Sequence, residues 1–171
     1  MQITICGGGN AAHTLAGILA AQPALTVHVF LPFADEARRW QDGLTRRGGI
    51  TVHTPTGQVS GRPHQVSADP AEVVPGSSLV LLALPAFAHE AILRQIGPFL
   101  ELDAWVGAIP ARGGFDLEAL AVFGAKPVRL FGLQTLPWAC RIREYGEEVV
   151  VLGTKAEVDL AAWPATEAAG I

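Results

Sequence analysis

Short apolar runs alternate with longer amphipathic stretches along most of the 171 residues. The apolar runs predict β-strands at Ile3–Cys6, Thr26–Leu31, Ser77–Leu84, Ala104–Ile109, Val128–Leu133 and Glu148–Leu152. The amphipathic stretches predict helices at Asn10–Ala21, Asp35–Thr45, Phe87–Leu100 and Asp116–Val122. A small hairpin is expected within Ile50–Val66, and the tail Lys155–Ile171 begins like a helix that Pro164 interrupts.

This alternation of strands and helices is typical of βαβ units on a parallel sheet. The run Ser77–Leu84 is almost continuously apolar, as expected of a strand that is covered on both faces. There is no internal repeat and no linker rich in Ser or Pro. The pattern therefore predicts a single α/β domain over residues 1–171, with a Rossmann-type, doubly wound and mainly parallel sheet of about six to seven strands.

Composition narrows the possible functions. The net charge is −4 and no block of Lys or Arg is present, which argues against a nucleic-acid partner. No apolar run approaches the roughly 20 residues that cross a bilayer, and the N-terminus lacks a basic signal-peptide region. Two distant cysteines and five histidines without zinc-type spacing predict neither disulfide nor metal site. We expect a cytoplasmic protein without a membrane partner.

A glycine-rich loop lies between the first predicted strand and the first predicted helix. Gly7, Gly9 and Ala12 fill the small positions of a G-x-G-x-x-A pattern. Gly7 allows a sharp turn, Gly9 leaves room for a pyrophosphate, and Ala12 lets the helix lie close to the sheet. A tight turn without a ligand is the alternative. The context favours a dinucleotide held at the helix N-terminus by Gly7, Gly8, Gly9, Asn10, Ala11 and Ala12.

The acid that usually binds the adenosine ribose should follow about 20 positions later. That point falls near Leu31, which offers no acceptor. Asp35 and Glu36 come about one turn later and are interpreted as first-turn helix acids. Arg38 and Arg39 could reach a 2′-phosphate or could be surface charges. The cofactor is therefore NAD(H) or NADP(H), and we favour NAD(H) because no arginine stands at the end of the second strand.

Ligands of a doubly wound sheet bind outside the carboxyl ends of its strands. Leu84 and Pro85 follow the fourth predicted strand and Pro110 follows the fifth, so we expect these three residues to line the cofactor. His89 is expected to be a surface or half-buried structural residue rather than a proton carrier. The polar and aromatic mixture at Thr135–Arg141 indicates either a binding surface or an interdomain interface.

Several stretches, in order along nearly the whole chain, resemble the opine dehydrogenase family. They are Cys6–Asn10 (CGGGN), Ala12–Leu15 (AHTL), Phe33–Ala37 (FADEA), Arg39–Trp40, Pro85–Glu90 (PAFAHE), Gly114–Phe115, Thr135–Arg141 (TLPWACR) and Val151–Lys155 (VLGTK). The longer stretches are far more specific than the glycine loop.

The resemblance implies a two-domain enzyme, of which residues 1–171 would be the NAD(P)-binding domain and a mainly helical C-terminal domain would be absent. Such enzymes are oxidoreductases that act on CH–NH bonds. They reductively condense an amino acid with a 2-oxo acid such as pyruvate, using NADH or NADPH. Because the family's proton-transferring histidine lies in the helical domain, we expect no catalytic residue in this chain and no activity of the chain alone.

The resemblance also implies substrate contacts at Arg112, Gln134, Thr135 and Cys140. Octopine-type members carry glutamine at the Arg112 position and glutamate at the Gln134 position. Loss of that negative charge favours an amino acid other than arginine, and Arg112 could hold a second carboxylate.

Two other functions are compatible with the same half. One is a different two-domain NAD(P)-dependent reductase, such as a ketopantoate reductase or a relative of glycerol-3-phosphate dehydrogenase, which would need no amine. The other is a non-catalytic NAD(P)-sensing module, against which the substrate-like segment Thr135–Arg141 argues.

Overall fold

The computed structural model describes residues 1–112 and 114–170. Its strands are β1 (Gln2–Cys6), β2 (Thr26–Phe30), β3 (Ile50–Thr54), β4 (Gly57–Gly61), β5 (Gln65–Ser67), β6 (Leu79–Leu82), β7 (Trp105–Ala108), β8 (Arg129–Leu133), β9 (Trp138–Glu144), β10 (Glu148–Thr154) and β11 (Leu160–Trp163). Its α-helices are α1 (Asn10–Leu19), α2 (Ala34–Arg47), α3 (Pro70–Val73), α4 (His89–Ile96) and α5 (Phe115–Phe123).

The larger sheet has the strand order β11-β8-β7-β6-β1-β2-β5. All neighbours are parallel except the pair β11–β8. The order reverses at β1, which lies between β2 and β6, and apolar clusters cover the two faces of the sheet. The α/β doubly wound prediction is confirmed, and the reversal creates the crevice at the carboxyl ends of β1 and β6 where this fold binds ligands.

A second sheet, with the order β4-β3-β10-β9, packs against α1. The hairpin expected within Ile50–Val66 is its β3–β4 pair. Glu148–Leu152 is a strand, as predicted, but it belongs to this sheet and pairs in parallel with β3. The short β5 and the longer β9 were not predicted. A partner that lies about 100 residues away cannot be recognised from local periodicity, so the sequence could not divide its strands between two sheets.

Helix α2 illustrates how local signals set element ends. It begins one residue before Asp35 and runs two residues past Thr45, to Gly48 in the left-handed conformation (φ 80°). Of the predicted helix Phe87–Leu100, only the part that forms α4 is α-helical, and a 3₁₀ turn lies on each side of it.

None of the helices among the described residues combines the length and apolar character that a membrane span requires.

The chain after β10 differs from its prediction. Instead of a helical start at Lys155, Leu160–Trp163 form β11 and pair antiparallel with β8, and a 3₁₀ segment follows Pro164. Ile171, the end of the predicted tail, lies outside the described residues. Alanine-rich sequence favours a helix locally. The free edge of β8 provides backbone partners that only the folded sheet supplies, and they outweigh that preference.

Candidate dinucleotide-binding site

The first glycine of the loop is required by the fold itself. Gly7 follows β1 with φ 130°, a conformation that side chains disfavour. A Cβ at this position would lie 2.6 Å from the carbonyl oxygen of Ala83, in the chain that leaves β6. The Gly7 N–H donates to the carbonyl oxygen of Phe30 at 3.0 Å. Gly7 therefore turns the chain where three parallel strands end side by side.

Gly9 differs, because nothing in the protein requires a glycine there. Its φ of −87° and ψ of −171° suit any residue, and a Cβ would meet no atom within 4 Å. The missing side chain instead leaves open space in front of α1, whose first turn has no acidic residue and whose N-cap makes no side-chain hydrogen bond. Free N–H groups and the positive end of the helix dipole attract anions. These features fit the pyrophosphate of a dinucleotide.

The other loop residues form the base of this space. Ala12 is completely buried and Ala11 almost so, which brings α1 close to the sheet. The Asn10 Oδ1 accepts a 2.8 Å hydrogen bond from the Ile142 N–H in β9, so this side chain is engaged with the protein. At Gly8, a Cβ would lie 2.9 Å from Leu31 and 3.1 Å from Glu36 Oε2. The Asn10 side chain is thus turned to the protein, and the loop backbone borders the open space in front of α1.

His13 connects this loop to the second sheet, a role that sequence reasoning missed. Its ring is fully buried and stacks on Trp40, with centroids 3.8 Å apart. Nδ1 lies 3.0 Å from the Gly9 carbonyl oxygen, and Nε2 accepts a 2.9 Å hydrogen bond from the Gly146 N–H in the turn between β9 and β10. Nδ1 is therefore the protonated nitrogen. Burial lowers the pKa of His13 to about 4. No sequence signal distinguishes such a histidine from an exposed one.

The residues expected to line the cofactor from the later strands lie at the same sheet edge. Leu84 is half-buried, and its Cβ lies 3.6 Å from the position of a Cβ at Gly7. Pro85 next to it is exposed. Pro110 follows the neighbouring β7 and is half-buried. The structure therefore brings these three residues to the edge where the glycine loop lies.

The residues expected to contact substrate are spread more widely. Arg112 and Gln134 are exposed, and Thr135 is half-buried. Gln134 borders a cavity of about 380 Å³ between β8, β11 and the start of α5, away from the glycine loop. Cys140 lies in β9 and is only 2% exposed, packed in the apolar core. Its thiol therefore faces no open surface among the described residues.

His89 is fully buried, which corrects the expectation of a surface or half-buried residue. The helix α4 turns it inward against the ring of Phe115, at 5.4 Å between centroids and edge-to-face. Its Nδ1 lies 3.9 Å from Glu118 Oε2, and burial lowers its pKa. Its ring packs between α4 and α5, so its expected structural role is consistent with this position.

The chain is similar to enzymes of opine metabolism. It is 38% identical to the octopine dehydrogenase of Mizuhopecten yessoensis over 162 residues, which are 91% of the chain and 40% of the relative. It is 39% identical to the tauropine dehydrogenase of Arabella iricolor over 159 residues, 90% of the chain and 40% of the relative. The chain thus spans about two fifths of the length of these relatives. No family model matches it.

Solved structures agree with the sequence comparison. An octopine dehydrogenase bound to NADH and L-arginine superposes with a TM-score of 0.91 at 37% identity, over 95% of this chain and 42% of that one. Ketopantoate reductases also superpose, but their 12% to 17% identity shows a shared fold alone. Over nine-tenths of its length, the chain is therefore a homologue of the Rossmann-like N-terminal domain of octopine and tauropine dehydrogenases.

Proposed function

We propose that this chain is the NAD(H)-binding half of an opine dehydrogenase-type oxidoreductase. The observation that carries the proposal is the space that Gly9 leaves in front of α1, in a chain homologous to an octopine dehydrogenase that binds NADH. A helical domain that follows in the complete protein would close the other side of the cleft. A cytoplasmic location belongs to the same proposal.

The proposed reaction joins an amino acid to a 2-oxo acid such as pyruvate and reduces the resulting C=N bond. When bound, the reduced nicotinamide supplies the hydride. The loop Gly7–Ala12 binds the pyrophosphate through backbone N–H groups and the dipole of α1. Leu84, Pro85 and Pro110 wall the nicotinamide side, because they end β6 and β7 next to that loop.

One wall of the substrate site is proposed for the far side of the same edge. Exposed Arg112 provides a positive charge for a substrate carboxylate, and Gln134 and Thr135 provide neutral polar groups. Cys140, five residues after Thr135, is proposed to contribute to this wall by packing, since its side chain is buried in the apolar core. A neutral Gln134 favours an amino acid without a cationic side chain.

The proton donor is proposed to come from outside this chain. His13 is held neutral by burial and by the Gly146 N–H that donates to its Nε2, and His89 at the start of α4 is also buried. His28 is also buried and bonds the Val73 carbonyl oxygen through Nδ1. None of these three rings reaches the open cleft. A positioned acid or base contributes about 10²–10⁴ in rate, so its absence should leave the chain alone inactive.

Calorimetric titration with NADH tests the binding step. Gly9→Val should weaken NADH binding at least tenfold, because the branched side chain fills the space in front of α1, while the melting temperature stays near that of the wild type. Gly48→Val is not a suitable comparison, since Gly48 has a positive φ. Gly153→Val is the matched control: it also has open space around its Cβ, but it lies in β10. Equal NADH affinity in the wild type and Gly9→Val would refute the proposed site.

A rate assay separates the proposed activity from its rivals. The complete enzyme should oxidise NADH only when an amino acid and a 2-oxo acid are both present. Oxidation without an amine would indicate a ketopantoate reductase type of reaction, and cofactor binding without any turnover would indicate a sensing module. The 171-residue chain should bind NADH without turnover; a rate within about tenfold of the complete enzyme would contradict the assignment of the proton donor.

A further inference from the structure

The carboxylate of Glu36 lies against the glycine loop, although Glu36 belongs to the first turn of α2. Its Oε2 is 3.1 Å from the position that a Cβ at Gly8 would take. Leu31, just after β2, lies 2.9 Å from the same position. Because Gly8 has no side chain, the carboxylate can pass over the end of β2 and reach the loop. It thus occupies the region where this fold usually places an acid from the strand end itself.

The Glu36 carboxylate has no cationic partner within the part of the chain that the structure describes. Arg39 follows three residues later on the same helix, but its guanidinium packs over the ring of Tyr145, 4.6 Å from the ring centroid. The side chain of Glu36 is half-buried, so it is neither free in solvent nor sealed in the core. A charge placed in this way is available to a ligand in the cleft.

Tyr145 fixes the other side of this position. Its hydroxyl oxygen lies 2.8 Å from the position of a Cβ at Gly8, and its ring packs edge-on against both His13 and Trp40. Burial, and after it the negative charge of Glu36, raise the pKa of Tyr145 to about 12. The tyrosine therefore stays neutral and forms a rigid wall beside the carboxylate.

We infer that Glu36 binds the adenosine ribose hydroxyls of the dinucleotide and selects NAD(H) over NADP(H). This inference rests on the proposed function, because it requires the pyrophosphate to lie at Gly9. A carboxylate is a strong acceptor for two neighbouring hydroxyls. The same charge repels a 2′-phosphate, which carries about −1.5 to −2 at neutral pH.

The arginines of α2 would support the opposite selection, since they could hold a 2′-phosphate. Arg38 and Arg39 are both exposed. Arg39 is already stacked on Tyr145, and the Tyr145 hydroxyl oxygen and the Glu36 carboxylate both lie next to Gly8. The position of Glu36 therefore favours a free ribose over a phosphorylated one.

Titration of the 171-residue chain with NADH and with NADPH tests this selection. The wild type should bind NADH more tightly. Glu36→Gln, which keeps size but removes the charge, should shift the ratio of the two dissociation constants at least tenfold towards NADPH. Asp35→Asn is the matched control: it removes the same charge from an exposed neighbour and should leave the ratio within about twofold.

A ligand-side measurement makes the test independent of the variants. The wild type should bind the 2′-deoxyribose analogue of NADH at least tenfold more weakly than NADH, and this difference should shrink in Glu36→Gln. Equal binding of the two ligands by the wild type, or an equal shift in Asp35→Asn and Glu36→Gln, would overturn the role of Glu36. Failure of the wild type to bind either NADH or NADPH would instead overturn the proposed function on which this role rests.

Discussion

Two regions of the larger sheet differ in how fully their residues are packed within this chain. At the β1–β2 end, the glycine loop is held by Gly7 against Ala83 and by His13 against the second sheet. At the β8–β11 end, Gln134 is exposed and the edge strand β11 is mostly open to solvent. The first region is fixed by packing within this chain. The second has surfaces that packing within the described residues leaves uncovered.

A large loss of stability is expected from a substitution in the glycine loop. Gly7→Ala should lower the free energy of unfolding by about 3 kcal/mol, because it combines a disfavoured positive φ with a clash against the Ala83 carbonyl. Gly9→Ala is the matched control and should change stability by less than about 1 kcal/mol, since its backbone is extended and its Cβ position is open. Urea unfolding measures both. Equal losses would mean that the two glycines do not differ as described.

Acidification should lower the free energy of unfolding through His13, which holds the glycine loop. Because the folded-state pKa of His13 is about 4 and the unfolded value is about 6.5, the unfolded chain binds the proton first as pH falls. Protonation of His13 therefore lowers the free energy of unfolding progressively between about pH 6.5 and pH 4. The loss reaches about 3 kcal/mol, because each unit of pKa difference corresponds to about 1.4 kcal/mol. His28 and His89, whose pKa values are also lowered by burial, act in the same direction.

Urea unfolding at pH 7 and at pH 4.5 measures this dependence. His13→Gln should be less stable at pH 7 but should lose less stability than the wild type on acidification. His53→Gln is the control, because His53 is partly exposed in β3 and lies outside this cluster. An unchanged pH dependence in His13→Gln would contradict the buried neutral state of this ring.

A smaller effect is expected where the loop is joined to β9. Asn10→Ala leaves the Ile142 N–H without its acceptor and should cost about 1–2 kcal/mol. Asn10→Asp keeps an acceptor and should retain most of that stability, yet it should weaken NADH binding because it adds a negative charge beside the proposed pyrophosphate position. Unfolding and titration of the two variants separate these effects; equal NADH affinity in Asn10→Asp and the wild type would argue against an anion there.

The smallest effect is expected at the open end. Trp163 in β11 is 47% exposed, so Trp163→Ala should cost no more than about 1 kcal/mol and should leave NADH affinity unchanged. Trp40→Ala, in the packed end, is the comparison and should cost about 3–5 kcal/mol, because Trp40 is fully buried. Similar losses in the two variants would show that the ends are equally packed.

Local pattern was sufficient for the five inner strands of the larger sheet, β8, β7, β6, β1 and β2, and for the glycine loop. The run Ile3–Cys6, the small residues of the glycine loop and the alternation of apolar runs with helices are all short-range signals. They predicted the doubly wound fold, whose strand order the structure then gave. They also indicated a dinucleotide, because the strand–turn–helix context is itself contiguous in the sequence.

Tertiary structure alone decided which residues surround that loop. Pairing of β10 with β3, the antiparallel β11, the two hydrogen bonds of His13 and the reach of Glu36 to Gly8 all join residues that are distant in the chain or a full turn out of the expected place. Sequence periodicity reports which face of an element is buried but not what lies against it. For that physical reason, Glu36 and His13 have the properties of ordinary helix residues until the chain is folded.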